Sequence, residues 1–176
     1  MFTGVLLWCK KVVYTTSTVV KSGEKWWITY FAAMFIGEYQ HSIDEKGRMA
    51  VPAKFRLALK KGAIVTRGLD NCLFIYTETE WKNLVAKIST LPLSQQKSRA
   101  FSRLMLAGAM DVTPDGQGRI LIPEYLRQFA GLKRATIVAG LYNRLEVWDK
   151  DAWDKYKIAT EKDSTKIAEE LGSLGV

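Results

Sequence analysis

Hydrophobic and polar positions change period along the chain, and each change marks an element. Glu38 to Ile43 leads into Asp44-Glu45-Lys46-Gly47, which predicts a strand and a turn whose glycine supplies a backbone angle other residues resist. Arg48 to Val51 is the return strand. Pro52 suits a first helical position, and Phe55, Leu57 and Leu59 fall in a short helix that Gly62 ends. Ala63 to Thr66 and Leu73 to Tyr76 are β-rich and flank Gly68-Leu69-Asp70-Asn71, the pattern of a hairpin. Trp81, Leu84, Val85 and Ile88 then take up helical spacing. Leu91-Pro92 interrupts it, and Ser94 stands where an N-cap would open a second helix carrying Phe101, Leu104 and Met105.

The strand pattern then returns. Asp44-Glu45-Lys46-Gly47-Arg48-Met49-Ala50-Val51-Pro52 aligns with Asp115-Gly116-Gln117-Gly118-Arg119-Ile120-Leu121-Ile122-Pro123 at an offset of 71 residues. Phe55-Arg56 matches Leu126-Arg127. One residue of slippage later, Gly68 through Leu73 aligns with Gly140 through Leu145, and Tyr76 and Trp81 answer Trp148 and Trp153. The chain therefore holds two copies of one module of about 45 residues, a size at which a solitary core is marginal. The copies are expected to bury apolar surface against each other. Expected boundaries are 38–81 and 110–153 for the modules, 82–109 for a helical linker and 154–176 for a helical tail with Ile158, Ile167 and Leu171 as weak anchors. Asn71 and Asn143 are expected to turn their hairpins in left-handed geometry. Trp81, Trp148 and Trp153 are expected in the core or at an interface.

At 48% hydrophobic and 25% charged, the composition is that of an ordinary folded protein. One histidine and two cysteines argue against a His/Cys metal centre and a disulfide-stapled domain. No apolar run reaches the ~18 residues of a membrane span. No membrane association, cofactor, metal or small-molecule substrate is expected, and the protein reads as cytoplasmic. Catalysis lacks a constellation: His41 has no counterpart in the second copy, Cys72 answers Arg144, and Gly116-Gln117-Gly118 lacks the third glycine and the helix of a dinucleotide loop.

The net charge of +8 favours a polyanionic partner. Residues 34–110 hold 12 basic against six acidic side chains, and residues 111–176 hold 10 against 11, so the surplus lies in the first module and linker. Within it, the repeated Asp-x-x-Gly-Arg turn carries the sharpest chemistry. Aspartate at a turn start accepts backbone N–H bonds, and the arginine that follows offers a rigid donor fork for guanine edges or phosphates. Two readings stay open: arginines presented on one surface, or Asp44–Arg48 and Asp115–Arg119 as internal ion pairs pinning two hairpins. Arg56 and Arg127 serve either a surface beside the turns or the boundary between modules. The linker's five basic residues form a solvated helix face or follow phosphates.

Met34-Phe35-Ile36-Gly37-Glu38-Tyr39, the two Asp-x-x-Gly-Arg turns with their Val-Pro and Ile-Pro sequels, and Glu146-Val147-Trp148 resemble the MraZ family of bacterial transcriptional regulators. The resemblance runs from Met34 to about Tyr156. It implies a mainly β fold with short helices, in which two tandem AbrB-like swapped-hairpin modules form one pseudo-dimeric β-barrel. It also implies a homo-oligomeric ring on double-stranded DNA at promoter repeats, acting on the division and cell-wall gene cluster from a nucleoid-associated position. The family's DNA-contacting motif carries over to Asp44 with Arg48 and Asp115 with Arg119, and Lys46 at the turn tip adds a phosphate contact. The alternative is an antitoxin-like or other protein-interaction module of the AbrB-like class. Family members begin where Met34 stands, so residues 1–33 are expected to be an N-terminal extension arising from a mis-assigned start, or else an added strand or oligomer contact.

Overall fold

The computed structural model describes residues 34–172, so the expectations for residues 1–33 lie outside the described residues. In the first copy, β1 (Phe35–Ser42) and β2 (Arg48–Ala50) flank the first turn. A single 3-10 turn and α1 (Arg56–Leu59) lead to β3 (Ala63–Arg67) and β4 (Leu73–Thr77). Two linker helices follow, α2 (Glu78–Ser89) and α3 (Gln96–Ser102), the latter running into a π-helical turn over Arg103–Ala107. The second copy supplies β5 (Met110–Val112), β6 (Arg119–Leu121), α4 (Glu124–Phe129), β7 (Ala135–Tyr142) and β8 (Arg144–Asp149), before α5 (Lys150–Lys162) and α6 (Ser164–Gly172).

The two copies interleave. β1 pairs with β7, β5 with β3, β2 with β6 and β4 with β8, so each pairing joins a strand of one copy to one of the other. The six-stranded antiparallel sheet has the order β1-β7-β8-β4-β3-β5, and β2-β6 is a separate two-stranded ribbon. Exchanging the copies reads that order backwards, which is the signature of an internal two-fold. Its axis passes through Met49 opposite Ile120 in the ribbon and through Phe74 opposite Glu146 in the sheet, because each of these residues faces its own counterpart.

Strand alternation decides what each face buries. Leu73, Ile75, Leu145, Val147 and Val138 point into the main core, where they meet Met49, Val51, Ile120 and Ile122 from the ribbon and Phe55, Leu59 and Leu126 from the helical segments. Phe74, Tyr76, Ile137 and Trp148 face the other way and are covered by Ile88 and Met105 from the linker, with Trp81, Leu84 and Trp153 at the margin. The expected helical face of the linker is thus the lid on the second face of the sheet. Thr77 caps α2 by accepting the Glu80 N–H at 3.2 Å, and Asp149 caps α5 by accepting that of Asp151 at 3.1 Å.

Several local expectations are corrected. β1 starts at Phe35 and not Glu38, because Phe35 is fully buried and pairs with Tyr142. Pro52 and Pro123 stand just before their helical turns as caps rather than inside them. Phe55 falls in the 3-10 turn just before α1; it and Leu59, four residues apart, share the buried face, while Leu57 between them faces solvent at 67% exposure. Ser94 does not cap α3; Gln95 holds that place without a side-chain bond, and Arg99 instead ties down the Leu93 and Ser94 carbonyls. Asn71 is left-handed as expected, but in the second hairpin Tyr142 takes the positive φ and Asn143 does not. Ile158, Ile167 and Leu171 are exposed.

The strand registers also revise the alignment of the copies. Ala63 faces Val112, and Thr136 faces His41, the counterpart of Val112. The third strands therefore correspond at an offset of 73, and Gly140 answers Arg67 rather than Gly68. The connection from α4 to β7 is two residues longer than that from α1 to β3, and the following hairpin gives one residue back.

Gly140 lies where β1 crosses β7: a Cβ there would stand 2.6 Å from the Ile36 nitrogen and the Phe35 carbonyl carbon. Gly140→Ala is expected to cost about 1–3 kcal/mol, the usual range for overpacking. Urea unfolding monitored by tryptophan fluorescence measures it, and an unchanged midpoint would contradict this packing.

Candidate nucleic-acid interface

The two Asp-x-x-Gly-Arg turns are built alike. Asp44 Oδ1 accepts the backbone N–H groups of Lys46 at 3.0 Å and Arg48 at 2.9 Å, and Asp115 Oδ1 accepts those of Gln117 and Arg119, both at 2.9 Å. Gly47 and Gly118 close the reversal with φ of 79° and 74°, which a side chain would resist. The second carboxylate oxygen then receives the arginine: Arg48 Nε donates to Asp44 Oδ2 at 2.7 Å, and Arg119 Nε donates to Asp115 Oδ2 at 2.9 Å. The internal ion pairs are therefore real.

They do not exclude presentation on one surface. Arg48 faces Leu121 and Arg119 faces Ala50 across the ribbon, on the side opposite the buried Met49 and Ile120. Residues opposed in an antiparallel pair share a face, as do residues two apart in a strand. Arg48 and Arg119 consequently lie on one outward face, diagonal to each other, with Cα atoms about 7–8 Å apart. Each side chain is roughly one-third exposed. Arg48 spends only its Nε–H on Asp44, which leaves its terminal nitrogens for another acceptor.

Each turn is braced by the other copy. Val51 N–H donates to the Gly118 carbonyl and Ile122 N–H to the Gly47 carbonyl, both at 2.9 Å. Arg56 and Arg127 work at this crossing. Their Nε groups donate to Val51 O at 3.0 Å and Ile122 O at 3.1 Å, and their side chains lie against Gly118 and Gly47. Both expected roles hold: the contacts cross the boundary between modules, and the side chains lie at the surface beside the turns, with Arg56 exposed and Arg127 half-buried.

A groove of about 560 Å3 opens beside the first turn, lined by Lys46, Arg48, Arg127, Lys133 and Arg134 with Asp44 and Glu45. Lys133 and Arg134 were not legible as site residues. Their signal was the two-residue lengthening of the α4–β7 connection, which an alignment with a single slip conceals. Burial pushes the Cys72 thiol up, and among the described residues no three His, Cys, Asp or Glu side chains converge as metal ligands. No helix of the described residues is long and apolar enough to cross a membrane.

The turn bonds act on the carboxylates. Asp115 is lowered to about 2, first by the Arg119 backbone N–H and then by its side chain, and Asp44 is lowered for the same leading reason. Because the charged form is the one held, this stabilisation is complete above the ordinary value of 3.8 and is lost as pH falls through about 2. Carboxyl-carbon NMR titration is expected to place the Asp115 midpoint at about 2, below the ordinary aspartate value. A midpoint near 3.8 would contradict the turn geometry.

The family model of "MraZ protein, putative antitoxin-like" matches residues 34–104 and again 105–173. The chain is 49% identical over 143 residues to the transcriptional regulator MraZ of Acetivibrio thermocellus, covering 81% of this chain and 100% of that protein. It is 46% identical to the protein of the same name from Caldanaerobacter subterraneus subsp. tengcongensis and 47% to that from Thermoanaerobacter sp. strain X514, over the same shares of each chain. A doubled family match along an interleaved pair of turn modules places the chain plainly: it belongs to the MraZ family.

Proposed function

We propose that the chain is a sequence-specific, DNA-binding transcriptional regulator whose ribbon β2–β6 enters the major groove. The observation that carries this reading is the placement of Arg48 and Arg119 together on the outward face of a two-stranded ribbon. A major groove about 12 Å wide admits such a ribbon, and arginine pairs with guanine O6 and N7 through two parallel bonds. Lys46, at the tip of the first turn, contacts phosphate and sets position without reading sequence. Asp44 and Asp115 are positioning residues. Their oxygens are filled by the turn, and their charge would repel a phosphate; they hold the guanidinium in one orientation and reduce the entropy lost on binding.

The relatives bear the name transcriptional regulator, and the family is one of regulators rather than enzymes. On the resemblance to that family, the target is the division and cell-wall gene cluster with the chain's own promoter. The acting species is a homo-oligomeric ring that sets several ribbons along repeated sites in the nucleoid. The antitoxin-like alternative relies on an unstructured tail to hold a partner. Residues 150–172 instead form the helices α5 and α6, which disfavours it.

Fluorescence anisotropy of the full chain against duplex DNA from immediately upstream of its own gene tests the reading. Arg48→Ala is expected to weaken binding by about 1–3 kcal/mol and to relax base preference, with Arg119→Ala doing the same at the adjacent position. A folded, normally assembled Arg48→Ala protein with full affinity and preference would overturn the assignment. Wild-type affinity is also expected to fall linearly on a logarithmic salt scale, by counterion release. A flat salt response would remove phosphate contacts from the reading.

A further inference from the structure

The internal two-fold is broken at the surface beside the first turn. Ile43 N–H donates to the Arg134 carbonyl at 2.9 Å, which ties the longer α4–β7 connection to the start of that turn. The bond brings Lys133 and Arg134 to the groove that Lys46 and Arg48 line from the other side. The second turn cannot copy it. The counterpart of Ile43 is Pro114, which has no N–H, and the shorter connection there holds only Lys60-Lys61-Gly62. Gln117 stands where the first turn has Lys46.

The groove's cations are unequally committed. Lys133 Nζ is bonded to Asp151 at 2.9 Å, and Arg127 is bonded to Ile122 O. Lys46 and Arg134 are exposed, and among the described residues neither has an acidic side chain within ion-pair distance. Lys46, Arg134 and the terminal nitrogens of Arg127 therefore face one concave space adjoining Arg48. We infer that this groove seats a phosphodiester of the duplex backbone and that it exists once per chain. Each ribbon then meets DNA with one flank anchored and the other not, so the complex has a direction that the paired arginines alone would not give it.

This rests on the ribbon reading above, and the test separates the two. Salt-dependent affinity for the same duplex is measured for wild type, Arg134→Gln, Lys46→Gln, and Lys61→Gln as a control of equal charge outside the groove. Arg134→Gln and Lys46→Gln are each expected to reduce the logarithmic salt slope by about one and to weaken all duplex sequences alike, with Lys61→Gln unchanged. Phosphate-ethylation interference should show a strong site on one flank of each protected segment, lost in Arg134→Gln. If Arg48→Ala relaxes base preference while both groove variants keep the wild-type slope, the groove inference is overturned and the ribbon reading stands. If the groove variants lose slope while Arg48→Ala keeps full preference, the ribbon reading falls and the phosphate seat survives. Absence of duplex binding by wild type overturns both. A free anion is the other source of the same chemistry. At fixed ionic strength, pyrophosphate that raises the melting temperature of wild type but not of Arg134→Gln, with duplex slopes unchanged, would assign the groove to that anion and overturn the inference.

Discussion

Two backbone hydrogen bonds, from Val51 to Gly118 and from Ile122 to Gly47, govern the ribbon end of the molecule. Each runs from the end of one copy's ribbon strand to the turn glycine of the other, so neither Asp-x-x-Gly-Arg turn is complete within its own module. The three-residue strands β2 and β6 are too short to stand alone. Crossing these bonds makes them a ribbon, and Met49 and Ile120 anchor that ribbon in the main core. The arginines acquire a common face only because this crossing fixes the register. A shift of one residue would turn Arg48 inward and Met49 out, exchanging a satisfied guanidinium for a buried charge.

The same crossing accounts for Arg56 and Arg127. A turn braced from the other module leaves strand-end carbonyls at Val51 and Ile122, and a helix that begins directly afterwards brings an arginine within reach of each. The ribbon, the proline caps and the helical arginines thus form one unit repeated about the internal axis. The axis is only approximate at the centre of the sheet. Phe74 faces Glu146 across it, and the buried glutamate is held by Arg144 at 2.9 Å and by the Trp148 indole at 3.1 Å. That pairing meets the desolvation cost of a charge in a position that an aromatic ring fills in the other copy.

Asymmetry at the surface follows a different rule. A connection between a helix and a strand tolerates two added residues because its backbone faces water and loop-closure entropy rises slowly with length. The added residues here carry Lys133 and Arg134, so a change nearly neutral for the fold alters the electrostatics of one flank of the ribbon.

Much of this was legible in the chain itself. Period-two segments, turn glycines and the doubled Asp-x-x-Gly-Arg-to-Pro run marked the turns, most strands and the two copies, because those features depend on local backbone chemistry. The linker's spacing at Trp81, Leu84 and Ile88 marked an apolar helical face, though not the sheet it covers. Left-handed geometry at Tyr142 instead of Asn143, and the cap at Gln95 instead of Ser94, escaped the local signals because residue preference alone does not fix the position at which a turn or helix begins. Partner strands, the shared face of Arg48 and Arg119, and the tether from Ile43 to Arg134 were set only by the tertiary structure. They join residues from 45 to 107 positions apart, from Val65 with Met110 to Phe35 with Tyr142, and no local periodicity encodes which copy's edge a strand will find. The chain by itself determined which side chains the turns carry; their common direction comes from burying two half-cores against each other.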